Sequence, residues 1–454
     1  MFDLTTDPWI QQTVMSRFAQ RRNYAWWLAG CGLGKTLAAI DVSRGHKRTL
    51  ILTMKSLIDA VWVEEYENFT YGARYLPLLA GTAKTKARRV DEFYHGDKPG
   101  AVIVNYETAY RLPLRRWNFD FVFADESHKL KGYNGKMSQN IAQETGRAAL
   151  KVAGTGTGWD DRPTDVYGQV RFLSPQHYPR KRILGAKPLG PWNEFYEEYV
   201  DYWERDNIKI PQGYKNQDKL AKILAPFTQT MKRGDWLDLT EAQEIVVPIT
   251  LPKKHMNKYN ELRDEMVTRF GDDLVVADNP LVKLLRLHQI TGGFYQPYEP
   301  GAGTVPIVDG FTKLATLCDL CETFGDEPFV IYAQYRQSIA LIREKLSALG
   351  ISHGELTGEH SDTRDWLHGK CQALVIQLAA GNAGLNLTRA HFVVYYELSG
   401  SNTNHVQSKY RVHRPGQKQD VVYYYLVAKG TVDEAILKRL QDKTVTAEEL
   451  RSML

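Results

Sequence analysis

The chain of 454 residues exceeds one ordinary core, since domains run to roughly 100–200 residues, and it predicts two or three domains. Hydrophobic residues at 43% and charged residues at 24% exclude a disordered or fibrous chain. Lysine and arginine total 58 against 53 acids, and a net charge of +5 permits an anionic polymer as partner without requiring one.

The N-terminal stretch MFDLTTDPWIQQ has neither a basic head nor an apolar run, so no secretory signal is expected. No apolar run approaches the roughly 18 residues of a membrane span, and a cytoplasmic protein without membrane contact is the expectation. The first third predicts short buried strands at Thr49–Thr53, Ala101–Asn105, Asp120–Ala124 and Leu150–Gly154, with helical patterns between them. That rhythm predicts a parallel sheet with helical crossovers. It breaks between about Pro179 and Pro300, where Pro191–Asp206 and Lys254–Phe270 read as amphipathic helices. After Gly310 strands return at Phe329–Ala333, Ala373–Leu378, Phe392–Tyr396 and Val421–Val427. The expected fold is α/β, with parallel-sheet lobes at 1–178 and 311–454 and a helical insertion at 179–310.

Three basic clusters, Lys84–Arg89, Arg111–Arg116 and Pro179–Arg182, read singly as solvated faces and together favour nucleic acid. Four cysteines cannot form a disulfide framework. Cys318 and Cys321 sit at helical spacing in an apolar stretch and are expected to pack rather than bind zinc.

The chemistry concentrates in WLAGCGLGKTLAAI, Trp27 to Ile40. An apolar run, a glycine-rich turn and a helical pattern predict a phosphate cradle, in which Gly30, Gly32 and Gly34 let backbone N–H groups curl round an anion at a helix N-terminus. Lys35 is expected to reach the outer phosphates of a nucleoside triphosphate and Thr36 to hold Mg²⁺. Cys31 lies inside the loop, so a thiol reagent should inactivate the protein and ATP should protect it. A cradle of this kind needs a second metal ligand and a base for water at a neighbouring strand end. DFVFADESH supplies Asp125 for Mg²⁺ and Glu126 for the water. Developing charge on the phosphoryl group also calls for cations, and NHVQSKYRVHRPGQ places Gln407, Arg411 and Arg414 at i, i+4 and i+7, a spacing expected to align them on one helical face. Arg411 and Arg414 are the candidate arginine fingers.

These motifs resemble the Swi/Snf-type branch of superfamily-two helicases, closest to its compact annealing-helicase-like members. The matching stretches are AGCGLGKT, LTMKSLIDAVW, VIVNYET, DESHKLK, TGTGWDDRPTDVYGQ, FVIYAQYRQSI, AAGNAGLNLTRA and QSKYRVHRPGQ, in the family's order over nearly the whole chain. His413, Arg414, Gly416 and Gln417 separate this branch from ordinary superfamily-two helicases. The chain departs from the family's pattern at Gly158, where proline is usual, and at Tyr410, where glycine or aspartate is usual. The resemblance implies two RecA-like lobes and Mg-ATP hydrolysis stimulated by DNA, with movement along duplex or branched DNA by a monomeric motor. It implies an adenine-reading glutamine at Gln12, with Gln11 as the competing position, and a further nucleotide contact at Gly384. Phosphate contacts are expected from Thr53, Lys55 and Ser56 in the first lobe and from Asn382 and Thr388 in the second. The alternatives are a strand-separating DNA or RNA helicase, a nucleic-acid-binding scaffold with a degenerate motor, and the motor subunit of a restriction system.

Overall fold

The computed structural model describes residues 2–30, 32–132, 134–156, 164–173, 189, 191–205, 208–236, 239–299, 301–307, 311–380 and 385–441. Cys31, Gly158, Asn382 and Gly384, and the basic cluster 179–182, lie outside the described residues. The chain divides into two units, Met1–Asp238 and Leu239–Leu454. No helix among the described residues is long and apolar enough to cross a membrane.

In the first unit the helix α1 (Ile10–Gln20) leads into β1 (Tyr24–Ala29), α2 (Lys35–Ser43) and β2 (Arg48–Thr53). Then come β3 (Tyr75–Pro77), α3 (Ala83–Phe93), β4 (Gly100–Asn105), β5 (Phe121–Asp125), β6 (Leu150–Thr155), α4 (Thr164–Leu173) and β7 (Thr228–Met231). The seven strands form one sheet in the order β7-β1-β6-β5-β2-β4-β3, and every neighbouring pair is parallel. Side chains alternate between its faces. Trp26, Leu50, Leu52, Val102, Val104, Val122 and Ala153 build the core on one face. Trp27, Ile51, Ile103, Phe121, Phe123 and Val152 build it on the other. Burial on both faces is why these strands read as continuous apolar runs. Because all strands run the same way, Ala29, Thr53, Pro77, Asn105, Asp125 and Thr155 end on one edge of the sheet.

The second unit repeats the plan. Its strands are β8 (Ala242–Ile249), β9 (Phe329–Ala333), β10 (His353–Leu356), β11 (Ser361–Asp362), β12 (Ala373–Gln377), β13 (Phe392–Tyr395) and β14 (Val421–Ala428). They form the order β8-β14-β13-β9-β12-β10-β11, parallel except for the terminal antiparallel pair of β10 with β11. The helices used below are α5 (Pro280–Gly292), α6 (Thr312–Phe324) and α7 (Asn402–Val412). Cys318 and Cys321 lie on α6, Cys321 is buried, and no group of metal-binding side chains occurs among the described residues.

Three expectations need correction. Pro191–Asp206 is not one helix: Trp192–Tyr199 is helical, and from Val200 the chain turns extended and pairs as a hairpin with Ile208–Tyr214. Lys254–Phe270 likewise ends as a helix at Glu265, because Met266 adopts a left-handed conformation at φ 63°, and Val267–Phe270 forms a hairpin with Asp273–Val276. The stretch between the lobes is therefore mixed rather than purely helical, and it supplies an edge strand to each sheet, β7 to the first and β8 to the second. Finally, α7 ends at Val412, with His413 already outside helical geometry at ψ 86°. Gln407 and Arg411 share that helix, but Arg414 lies beyond it, so the i, i+7 alignment does not extend to Arg414.

Candidate active site

The strand ends of the first unit gather the predicted phosphate and metal residues. β1 ends at Ala29, and α2 begins at Lys35 after a turn in which Gly32 and Gly34 hold φ of 85° and 76°. Only glycine adopts that geometry without steric cost. The turn is also held from beside: the Gly30 amide donates to the carbonyl of Met231 at 3.1 Å, so edge strand β7 continues its pairing past the end of β1. Gln12 on α1 is buried, accepts from the Trp9 amide at 2.7 Å, and presses its side-chain amide against Gly34. A Cβ built on Gly34 would stand 2.0 Å from Gln12 Nε2. Gln11 is buried as well. The contact with the glycine turn singles out Gln12 of the two.

Lys35 is buried, and its ammonium donates to the carbonyls of Ala29 at 2.8 Å and Gly30 at 3.4 Å. Thr36 follows in the first turn of α2 and is half-buried. Asp125 ends β5 with its carboxylate enclosed by donors: Thr53 Oγ1 and Trp62 Nε1 both donate to Oδ2 at 3.1 Å, and the Glu126 amide donates to Oδ1 at 3.1 Å. Burial and the neighbouring Glu126 push Asp125 up to about 6, against the pull of Lys35 and of the Trp62 and Thr53 donors. Glu126 has left-handed backbone angles, φ 50° and ψ 53°, which a non-glycine side chain adopts at a cost on the order of 1–3 kcal/mol. That turn places Glu126 Oε2 3.3 Å from His128 Nδ1, which in turn lies 3.4 Å from the Thr155 hydroxyl at the end of β6.

Helix α4 packs on the same loop. Gly168 lies so close that a Cβ there would stand 2.2 Å from the Leu130 carbonyl, and the Ser127 hydroxyl donates to the buried Gln169 at 2.7 Å. Thr155, Gly168 and Gln169 thus grip the segment carrying Asp125 and Glu126.

The remaining predicted residues fall elsewhere. Thr53 is fully buried against Asp125, so it orients a carboxylate instead of facing a polymer. Lys55 and Ser56 are exposed just beyond it. In the second unit Gln407 is buried on α7, and Arg411 and Arg414 are half-buried. Thr388 is half-buried and donates its amide to the Asn386 side chain at 3.2 Å. Sequence reasoning assigned no role to Trp62, His128, Gln169 or Met231. The first three stood inside stretches already singled out. Met231 belongs to a short polar strand with no apolar signature.

The site fits a nucleoside triphosphate and its cation on its own geometry: a glycine turn with no room for a side chain at Gly34, a lysine folded onto the loop carbonyls and a carboxylate held by three donors at the adjoining strand ends. Comparison with known proteins identifies the family. The model of the SNF2-related domain matches residues 28–292, and that of the helicase conserved C-terminal domain matches 312–416. Protein p41 of Acyrthosiphon pisum secondary endosymbiont phage 1 is 23% identical over 93% of both chains. The ISWI chromatin-remodeling complex ATPase ISW1 of Saccharomyces cerevisiae is 25% identical over 91% of this chain. The human DNA annealing helicase and endonuclease ZRANB3 is 24% identical over 94% of it. The chain spans only 37% and 39% of the latter two proteins' own lengths. The Sulfolobus solfataricus SWI2/SNF2 ATPase core in complex with dsDNA aligns over 100% of this chain and 98% of its own, at 18% identity and a TM-score of 0.44.

Proposed function

We propose that this chain, which belongs to the SNF2-related family of ATP-hydrolysing, helicase-like enzymes, is a monomeric DNA translocase that hydrolyses Mg-ATP to move along duplex or branched DNA. The observation that carries this reading is the convergence of Lys35, whose ammonium rests on the carbonyl that ends β1, with Asp125 and Glu126 at the end of β5, on one edge of the first sheet. Bound Mg-ATP would supply the phosphoryl group and a Lewis acid on its oxygens. The amides of the glycine turn and the Lys35 ammonium would hold the phosphates, and Thr36 with Asp125 would hold the cation. Thr53 and Trp62 keep Asp125 in one orientation, so little reorganisation is required of it when ligand binds. Glu126 takes the proton of the attacking water on its carboxylate, with His128 steadying Oε2. Gln12 reads the base, and Arg411 and Arg414, with Gln407 on the same helix as Arg411, are the proposed cations for the developing charge. Gly384, Asn382, Thr388, Lys55 and Ser56 stay as proposed contacts to nucleotide or phosphodiester.

ATP turnover would be measured without nucleic acid and with duplex DNA, forked DNA, single-stranded DNA and RNA, beside Lys35→Ala and Glu126→Gln. The reading expects strong stimulation by duplex or forked DNA that both variants abolish. Stimulation by RNA or a single strand alone would indicate a conventional helicase, and no turnover under any condition would indicate a binding protein.

A further inference from the structure

A cavity of about 160 Å³ opens in the first unit where β2, β3 and β4 begin, at the opposite edge of the sheet from the nucleotide site. A void of roughly 150 Å³ holds one benzene ring, so the space suits a single-ring molecule. Phe2 and Tyr66 give it an aromatic wall, their ring centroids 6.3 Å apart, and Tyr66 is held in turn by stacking on Tyr75 at 5.0 Å. Two polar groups of the lining are left incomplete by the fold. The first is Tyr66 itself, on the short helix Glu64–Phe69, which is 1% exposed and whose hydroxyl has no partner at hydrogen-bond geometry. Ser43 at the end of α2 faces that hydroxyl, but Ser43 donates its own proton to the Ile40 carbonyl at 2.6 Å. A buried hydroxyl without a partner carries a desolvation penalty that a bound acceptor relieves. The second is Arg74, just before β3. It donates to the carbonyls of Pro99 at 3.0 Å and Phe93 at 2.8 Å and lies over the Phe93 ring, which fixes the guanidinium in place. Among the described residues Arg74 nevertheless forms no ion pair, whereas the other charges of the lining are answered. Arg44 pairs with Asp41 at 3.1 Å and with Asp3 at 3.7 Å, and burial lowers His46 against the pull of Asp120, so its ring is neutral at neutral pH. One positive charge is left over beside an aromatic wall and an unused hydroxyl.

We infer that this cavity binds a small planar monoanion, a carboxylate carried on a single aromatic ring, with the ring against Phe2 and the carboxylate at the Tyr66 hydroxyl and the Arg74 guanidinium. A carboxylate accepts from both donors at once, and hydrogen bonds to a charged group are the stronger kind. Water would satisfy the hydroxyl equally well but would give no preference for a ring or for a charge. The inference does not rest on the DNA-motor reading, and the site is separate from the nucleotide turn by the length of the strands.

The test is calorimetric titration of the full chain with benzoate, beside benzamide, which keeps the ring and loses the charge, and acetate, which keeps the charge and loses the ring. Benzoate should bind at one site per chain, about tenfold or more tightly than either analogue. A saturating non-hydrolysable ATP analogue should leave that affinity unchanged, because the nucleotide belongs at the other edge of the sheet. Tyr66→Phe removes a hydroxyl that the fold itself does not use, so the variant should melt with the wild-type chain and bind benzoate about tenfold more weakly. Arg74→Gln keeps donors for the two carbonyls and should abolish the preference for benzoate over benzamide, while Arg74→Lys should retain it. Absence of benzoate binding at millimolar concentration would overturn the site, as would competition by the ATP analogue. Unchanged benzoate affinity in both Tyr66→Phe and Arg74→Gln would overturn it as well. None of these outcomes bears on ATP turnover or on DNA, so the DNA-motor reading stands or falls by its own experiment.

Discussion

The two units share a sheet plan and treat their buried charges in opposite ways. In the first, Lys35 rests on loop carbonyls, and Asp125 and Glu126 sit as neighbouring carboxylates, an arrangement that a triphosphate and its cation would complete. In the second, the buried charges complete one another. Lys313 on α6 donates to Asp433 at 2.6 Å, and Asp433 also accepts from Thr291 at 2.7 Å and from the Ala428 amide. Glu397, just past the end of β13, accepts from the amides of Gln334 and Tyr335 and from the Ser338 hydroxyl, tying the ends of β13 and β9 together. Gly292 at the end of α5 passes so close that a Cβ there would stand 2.1 Å from Glu397 Oε1. Charges left for a ligand mark chemistry, and charges satisfied within the fold mark architecture.

The contrast can be broken in order of effect. Glu126→Gln should lower ATP turnover about 10²- to 10⁴-fold, the usual worth of a general base, while leaving binding of an ATP analogue intact. Turnover close to wild type would remove Glu126 from the chemistry. Lys313→Met should act on stability: stranding buried Asp433 without its partner costs about 3–5 kcal/mol, and the combined Lys313→Met, Asp433→Asn change should cost less. Chemical denaturation checks this, and a variant of normal stability would show that the pair is not structural. Thr53→Val removes one of three donors to Asp125, worth about 1.5–3 kcal/mol for a bond to a charged group. It should reduce turnover at least tenfold at low Mg²⁺ and less at high Mg²⁺ if Asp125 holds the cation as proposed; a loss independent of Mg²⁺ would contradict that role.

The smallest effect is on pH dependence. Burial lowers both His288 and His405 to about 4, so each stabilises the fold while neutral, and that contribution is lost as pH falls from 6.5 towards 4. Burial raises Glu397 to about 7, so its contribution is present at low pH and is lost as pH rises through 7. Between pH 6.5 and 4.5 the two histidines lower the melting temperature on acidification, opposed by Glu397 and by Asp125, which burial raises to about 6, and the histidine variants isolate the first of these effects. His288→Asn and His405→Asn should each flatten that fall; an unchanged profile would show that neither histidine is held neutral.

What the sequence revealed followed burial. All eight predicted sheet strands are present, because strands covered on both faces by Trp26, Ile51, Phe123 or Val394 read as continuous apolar runs. The edge strands β7 and β8 were not legible: Thr228–Met231 is polar and mostly half-exposed, and Ala242–Ile249 is largely exposed and carries Pro248. Helix limits were overdrawn where aromatics continued into a hairpin at Val200 and where Met266 turned left-handed, which no helical periodicity announces. The glycine turn ahead of α2 and the Asp125–Glu126 pair at the end of β5 were legible because their spacing is local. The clamp on Asp125 was not, since Thr53 and Trp62 lie 72 and 63 residues away and meet it only once the sheet forms.

The most direct test of the central claim is displacement of a third DNA strand from a duplex in the presence of ATP, comparing the wild-type chain with Glu126→Gln. A translocase should displace the strand at a rate that depends on ATP and vanishes in the variant. A wild-type chain that hydrolyses ATP on DNA yet leaves the triplex intact would contradict movement along the duplex.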